Sequence, residues 1–146
     1  MVLENLLFNF MSSLIKSSNS FIASFISKLH LGSLRRVRFI TVSYCKLTIE
    51  ITKLLYKEGV IRLYLLKGTK ILIYYKFFRG CNLFKFKIIS KPSKRVYWSL
   101  HKLSLNYNKE NFSGFFVIST PIGLITSNET LILGHMSGEV LFKIYI

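Results

Sequence analysis

Apolar and polar positions recur along the chain with two different periods, and the switches between them outline its elements. Between Phe21 and Leu31, the residues Phe21, Ile22, Phe25, Ile26 and Leu29 fall at three- and four-residue spacing, which puts them on one stripe of a helix. Gly32 follows as the expected stop. From Arg36 to Val42 the period drops to two, as in a strand buried on one face. Ser43 is then placed to cap a second helix running to Glu58, with Leu47, Ile51, Leu54 and Leu55 on its apolar side and Gly59 at its end. Lys46 with Glu50, and Glu50 with Lys53, stand at helix-surface spacing, a pairing that contributes about 0.2–0.5 kcal/mol in an isolated helix.

Two extended runs follow, Val60 to Leu65 and Lys70 to Phe78, and Lys67, Gly68 and Thr69 between them predict a hairpin. Arg79, Gly80, Cys81 and Asn82 have turn composition and mark a boundary. Strands are expected at Phe84 to Ile89, Val96 to Leu100, Phe115 to Ser119 and Gly123 to Ile125. A helical turn comes next, for which Thr126 and Glu129 supply a capping box, and the last strand is Val140 to Ile146. The order is α-β-α-β-β followed by a mostly β set with a short helix, so the expected fold class is α+β, two small units packed together. Residues 1–20 read as an N-terminal extension, 21–80 as a basic N-terminal unit and 81–146 as a β-rich C-terminal unit.

Charge sharpens this division. The formal net charge is +15. The stretch from Lys28 to Lys102 holds 18 Lys and Arg against 2 Glu, or +16, whereas residues 103–146 sum to −1. A polyanion is therefore the expected partner of the first two thirds, and the last third must recognise it by shape and hydrogen bonds. Phe, Ile, Lys, Tyr and Asn make up 61 of the 146 residues, while Ala occurs once and Asp never. That bias matches AT-rich codons and points to an organelle genome. Cys45 and Cys81 lack metal-ligand spacing and are expected to be reduced and buried. Mean hydropathy is positive, yet a spanning helix needs about 20 mostly apolar residues. Leu3 to Ile15 is short and holds Asn5 and Asn9, and Ile71 to Phe78 is interrupted by Lys76, so no membrane insertion is expected. The N-terminus also lacks the basic character of a transit peptide, which suggests synthesis within the organelle.

Three short segments carry candidate chemistry. Lys91, Pro92, Ser93, Lys94, Arg95, Val96 and Tyr97 form a basic turn that leads into an aromatic strand: cations for phosphates, and a flat ring with a hydroxyl. Trp98, one position on, faces the other way and reads as core. Ser119, Thr120, Pro121, Ile122 and Gly123 display hydroxyls and backbone groups at a tight turn, which suits 2′-hydroxyls and base edges of an irregular RNA helix. Ser137, Gly138 and Glu139 bring a carboxylate that can accept from base amino groups. Each segment alone is equally an ordinary turn. His30, His101 and His135 are scattered, and no acid-base pair, Cys-His dyad or phosphate loop appears, so neither catalysis nor a small-molecule substrate, metal or cofactor is expected.

Taken in order, the segments from Phe21 to Ile146 resemble the small-ribosomal-subunit protein eight family. The resemblance lies in Lys46-Leu47 and Lys57-Glu58-Gly59-Val60-Ile61, in Ser90-Lys91-Pro92-Ser93-Lys94-Arg95-Val96-Tyr97, in Val117-Ile118-Ser119-Thr120 with Gly123, and in Gly134 with Ser137-Gly138-Glu139-Val140. The sequence departs from the family pattern at Ser93, where glycine is usual, at Pro121-Ile122, which replace a serine and a lysine, and at Ser137, which replaces a glycine. The resemblance implies a non-enzymatic constituent of the small ribosomal subunit that binds the central domain of its rRNA beside neighbouring ribosomal proteins. Ser119, Thr120, Gly123, Glu139 and Tyr97 would read the RNA; Lys91, Lys94 and Arg95 would flank the reading loop. Lys28, Arg35, Arg36, Arg38, Lys46 and Lys53 would neutralise phosphates. The mitochondrial ribosome is the expected place, with a plastid as the alternative organelle. A rival reading is a basic peripheral membrane protein using residues 1–31 as an interfacial helix, but the polar face of that segment is serine-rich rather than basic.

Overall fold

The computed structural model describes residues 21–82, 84–109, 113–134 and 137–145. The expected extension of residues 1–20, His135 and the last residue of the final strand lie outside them. The first helix, α1, covers residues 21–34. Phe25, Ile26 and Leu29 are fully buried on it and Ile22 nearly so, while Phe21, expected on the same stripe, is exposed. Gly32 does not stop this helix. A Cβ there would stand 2.4 Å from the Tyr75 hydroxyl and 2.8 Å from Ile40 Cγ2, so glycine is what lets α1 lie against the sheet. The same hydroxyl donates to the Leu29 carbonyl at 2.8 Å, and burial pushes its pKa far up. The helix ends at Arg36, whose left-handed φ of 55° does what glycine was expected to do. The strand β1 consequently starts at Phe39 rather than Arg36 and spans Phe39–Ser43.

Ser43 stays in β1, paired with Lys70, and does not cap the next helix. The cap lies two residues on: in α2 (Lys46–Lys57) the Cys45 N–H donates to Thr48 Oγ1 at 2.9 Å. Ile51, Leu54 and Leu55 are buried as the spacing predicts, joined by Thr48, Ile49 and Thr52, while Leu47 is half-buried. Then β2 (Ile61–Lys67) and β3 (Lys70–Tyr75) form the expected hairpin, closed by Gly68 at φ 55°. The sheet order is β1-β3-β2, all antiparallel, and Ile71, Ile73 and Tyr75 alternate into the core. The boundary expected at residues 79–82 is a small hairpin of β4 (Phe77–Phe78) and β5 (Cys81–Asn82). Both turn residues, Arg79 and Gly80, take positive φ, as a two-residue hairpin turn demands. Cys81 is exposed on it and Cys45 only half-buried, so the burial expected of both fails at Cys81 and is met only in part at Cys45; both are free thiols.

The C-terminal sheet is built on β10 (Gly138–Tyr145). On one side β10 pairs with β8 (Phe115–Thr120), which pairs in turn with β9 (Gly123–Thr126). On its other side it pairs with β6 (Lys85–Ile88) through residues 142–145 and with β7 (Tyr97–Trp98) through Gly138 and Glu139. Both faces are covered, which is why Phe115 to Ile118 are all buried instead of alternating. Phe115, Val117, Phe142 and Ile144 join α1, α2 and the N-terminal sheet in one hydrophobic cluster. Phe116, Ile118 and Val140 join a second one, with Leu103 and the half-buried Trp98 and Leu131. Lys143 is buried among them with its ammonium 4.9 Å from the Phe116 ring centre and 4.3 Å from that of Tyr145; burial, and then Lys87 across the strand, lower its pKa.

Leu103 belongs to α3 (Leu100–Lys109), a helix the sequence reading missed: the strand expected at Val96 to Leu100 shrinks to Tyr97–Trp98 and gives way to it. The expected short helix is α4 (Ser127–Leu133), with its capping box in place: the Glu129 N–H donates to Thr126 Oγ1 and the Thr126 N–H to the Glu129 carboxylate. Two further links join the halves. Ser33 Oγ donates to the Phe84 carbonyl at 2.6 Å, and Lys57 of α2 pairs with Glu129 of α4. No helix among the described residues is long and apolar enough to cross a membrane.

Candidate nucleic-acid interface

Tyr97, Glu139 and Ser119 are 22 and 20 residues from their next neighbour in the set, yet strand pairing puts them in one row. Glu139 stands opposite Tyr97 on one side and opposite Ser119 on the other, so the three side chains share a face of the sheet. They line an open cleft of about 490 Å³ with Trp98 and Pro121 as apolar walls and Ser99 and Ser137 at its margin. Trp98 turns edge-on to Phe116, centroids 5.0 Å apart, and so is fixed by the core as expected. Gly138 is essential to the row. A Cβ on it would lie 2.2 Å from the Ser119 carbonyl oxygen, so no larger residue lets β10 come this close to β8. Glu139 is half-buried, and its Oε1 is buried without a hydrogen-bond partner among the described residues. Such an acceptor is costly unless something donates to it.

Thr120 stands differently. It is buried, and its hydroxyl donates to the Gly123 carbonyl at 2.9 Å, closing the Pro121-Ile122 turn. It shapes the loop more than it displays a hydroxyl. Gly123 takes φ 129°, and nothing lies within 4 Å of where its Cβ would be, so its backbone is open to approach.

The basic turn is a second tight element. Lys91 and Lys94 exchange backbone hydrogen bonds of 3.0 Å in both directions around Pro92-Ser93, and the Val96 N–H donates to Ser90 Oγ at 3.0 Å. Ser93 has no positive φ, so the usual glycine is not needed there. The Val96 carbonyl accepts from the Val140 N–H at 2.9 Å, which ties the turn to the strand carrying Glu139. Lys91 and Lys94 are exposed and Arg95 is half-buried.

All six N-terminal cations are exposed. Lys28 lines a cleft of about 250 Å³ between α1 and the start of α2, beside Tyr44 and Cys45. Arg35, Arg36 and Arg38 follow the end of α1, and Lys46 opens α2. Lys53, two turns along α2 from Lys46, lines a cleft of about 390 Å³ whose opposite side is Ile122 and Gly123. Of the six, it is the one placed beside the C-terminal loop. Ser99 and Gly138 were not singled out by their roles in the sequence. A signal for Ser99 existed: a serine followed by Leu100 and Leu103 at helical spacing is a helix start. Gly138 offers none, because its close neighbour comes from another strand. Among the described residues no group of three His, Cys, Asp or Glu is positioned to hold a metal.

Known proteins share this arrangement's sequence over almost its whole length. Residues 20–145 match the family described as Ribosomal protein S8. The small ribosomal subunit protein uS8 of Neorickettsia sennetsu is 29% identical over 133 residues, covering 87% of this chain and 98% of the relative. The small ribosomal subunit protein uS8m of Acanthamoeba castellanii is 32% identical over 127 residues, covering 86% and 98%. The small ribosomal subunit protein uS8 of Lawsonia intracellularis is 26% identical over 125 residues, covering 85% and 96%. Since the match runs through both sheets, the basic turn and the cleft at Glu139, the chain belongs to the ribosomal protein S8 family.

Proposed function

We propose that this structural, non-enzymatic protein of the small ribosomal subunit binds the central domain of the small-subunit rRNA and supports its assembly in a mitochondrial ribosome. The observation that carries the reading is the Glu139 oxygen, without a partner among the described residues, in a row between Tyr97 and Ser119. In an RNA-binding protein a carboxylate repels phosphate, so its place in a cleft makes sense where base amino groups donate to it. Tyr97, 62% exposed, offers its ring and hydroxyl to the ribose or base beside it, and Ser119 offers a donor and acceptor. Thr120 and Gly123 hold the loop in shape and let the RNA backbone approach. Lys91, Lys94 and Arg95 flank the cleft, and Lys28, Arg35, Arg36, Arg38, Lys46 and Lys53 neutralise phosphates of the same or adjacent helices. A mitochondrial relative at 32% identity and the AT-rich residue usage support the compartment. Neighbouring small-subunit proteins complete the site.

Two titrations test this, one with a central-domain rRNA fragment and one with an unrelated duplex. Ser119→Ala and Glu139→Ala should each weaken the fragment by about 1–3 kcal/mol and leave the duplex unchanged. Replacing Arg35, Arg36 and Arg38 with Ala should weaken both RNAs and flatten the salt dependence. Equal losses for both RNAs in the Ser119 and Glu139 variants would show that the cleft does not read RNA. Co-sedimentation of the tagged protein with mitochondrial small subunits tests the compartment.

A further inference from the structure

On the N-terminal side of the molecule, where α2 ends against β2 and β3, lies an open cleft of about 630 Å³ that none of the assigned residues enters. Tyr56, Lys57, Arg62, Lys76 and Phe77 line it, with Tyr75 below, and no lining residue is acidic. Lys57 is committed to Glu129, but Arg62 and Lys76 are exposed and have no ion pair among the described residues. The Lys76 ammonium lies 4.0 Å from the Cβ position of Gly59, so it is folded in over that backbone. Tyr56 is 53% exposed, and its ring is fixed against Tyr64, centroids 5.7 Å apart at 80°. Phe77 is fixed in the same way against Tyr75 at 6.5 Å. Beyond Phe77 the same chemistry continues onto the hairpin tip, where the Arg79 guanidinium sits 5.3 Å from the centre of the exposed Phe78 ring.

We propose that this cleft is a second RNA site, one that takes an unpaired nucleotide of a single-stranded segment. The base stacks on the Tyr56 or Phe77 ring while its phosphates lie beside Arg62 and Lys76. Rigid aromatic rings interleaved with cations are what single-stranded nucleic acid uses, because every base has a π-face and every linkage a charge. Bases stacked inside a duplex cannot reach rings set in a concave wall. The volume falls within the roughly 300–1,000 Å³ typical of small-ligand sites, enough for a nucleotide and too small for a helix. The proposal extends the RNA-binding reading above to a different surface and a different RNA conformation.

The probe is the full chain with a fluorescent oligouridine of about twelve nucleotides, with an RNA duplex and an oligoglutamate of equal charge as controls. Tyr56→Leu, which alters an exposed ring and leaves the core intact, should weaken oligouridine binding about fivefold to a hundredfold and leave duplex binding unchanged. Arg62→Gln with Lys76→Gln should weaken both RNAs. In the unmodified protein, 4-thiouridine in the same oligonucleotide should crosslink within residues 56–77, a readout that needs no variant. Unchanged oligouridine binding by Tyr56→Leu, crosslinks only elsewhere, or equal binding of oligoglutamate would each overturn the proposal. The two RNA readings fail separately: loss of central-domain discrimination with a Tyr56-dependent oligouridine signal removes only the first, and the converse removes only this one.

Discussion

At Gly138 the clash that any side chain would make, 2.2 Å from the Ser119 carbonyl, lies between two backbones that cannot move apart without opening the β8-β10 ladder. Gly138→Ala is therefore expected to destabilise the protein by about 1–3 kcal/mol, the cost of overpacking a fitted site, read as a lower urea midpoint. Ser137→Gly, one residue earlier and exposed, should cost less than about 1 kcal/mol. Gly32 poses the same problem against a side chain, and side chains can be trimmed. Gly32→Ala should lose a similar amount, and adding Tyr75→Phe, which removes the hydroxyl 2.4 Å from the new methyl, should recover part of it. A double-mutant cycle by denaturation measures that coupling; strict additivity would show that the Ile40 contact at 2.8 Å sets the cost instead. The recovery is bounded, because Tyr75→Phe also gives up the bond to the Leu29 carbonyl.

Helix α4 shows how much one short element carries. Thr126 and Glu129 cap it, and Glu129 also holds Lys57 of α2, so a single carboxylate fastens its own helix and reaches the other half of the molecule. Thr126→Ala should cost about 1 kcal/mol through the lost cap. Glu129→Gln keeps an acceptor for the cap and removes the charge, which makes it the probe of pH dependence. The hydrogen bond from Lys57 holds the Glu129 carboxyl below its ordinary 4.5. Its contribution is thus complete above that value and is lost as pH falls through the depressed pKa. The wild type should lose its advantage over Glu129→Gln on acidification below 4.5, seen as converging thermal midpoints. Glu58, whose pKa burial raises, acts in the opposite sense, but it is present in both proteins. The capping box was legible in the sequence because it is local: both partners lie within four residues. The helix stripes and the β2-β3 hairpin were legible for the same reason. Helix α3 was not, since it buries little besides Leu103 and its apolar pattern is too thin to announce a helix. Least legible was the alignment of residues 97, 119 and 139. Each candidate was visible as a residue type, but their meeting depends on register between strands far apart in the chain.

Across the whole molecule, the buried residues of α1, α2 and the first sheet belong to the same cluster as Phe84, Phe86, Phe115, Val117, Phe142 and Ile144 of the second. Two halves sharing one core should unfold together. The single Trp98 reports on the C-terminal sheet and far-ultraviolet circular dichroism on the helices, two of them in the N-terminal half; the two urea transitions should coincide, and separate midpoints would show independent halves. Strand β10 is the hub of its sheet and follows β6, β7 and β8 along the chain. During synthesis β6, β7 and β8 all emerge before the strand that joins them, so they must wait, unpaired with it, until residues 138–145 have left the exit tunnel. The N-terminal hairpin and helices face no such delay. A polypeptide cut short before Gly138 keeps nearly all its positive charge yet has neither the row at Glu139 nor the strand that supports it. Under the proposed reading of the cleft, such a fragment is expected to bind a central-domain fragment and an unrelated duplex equally well, which the same pair of titrations measures.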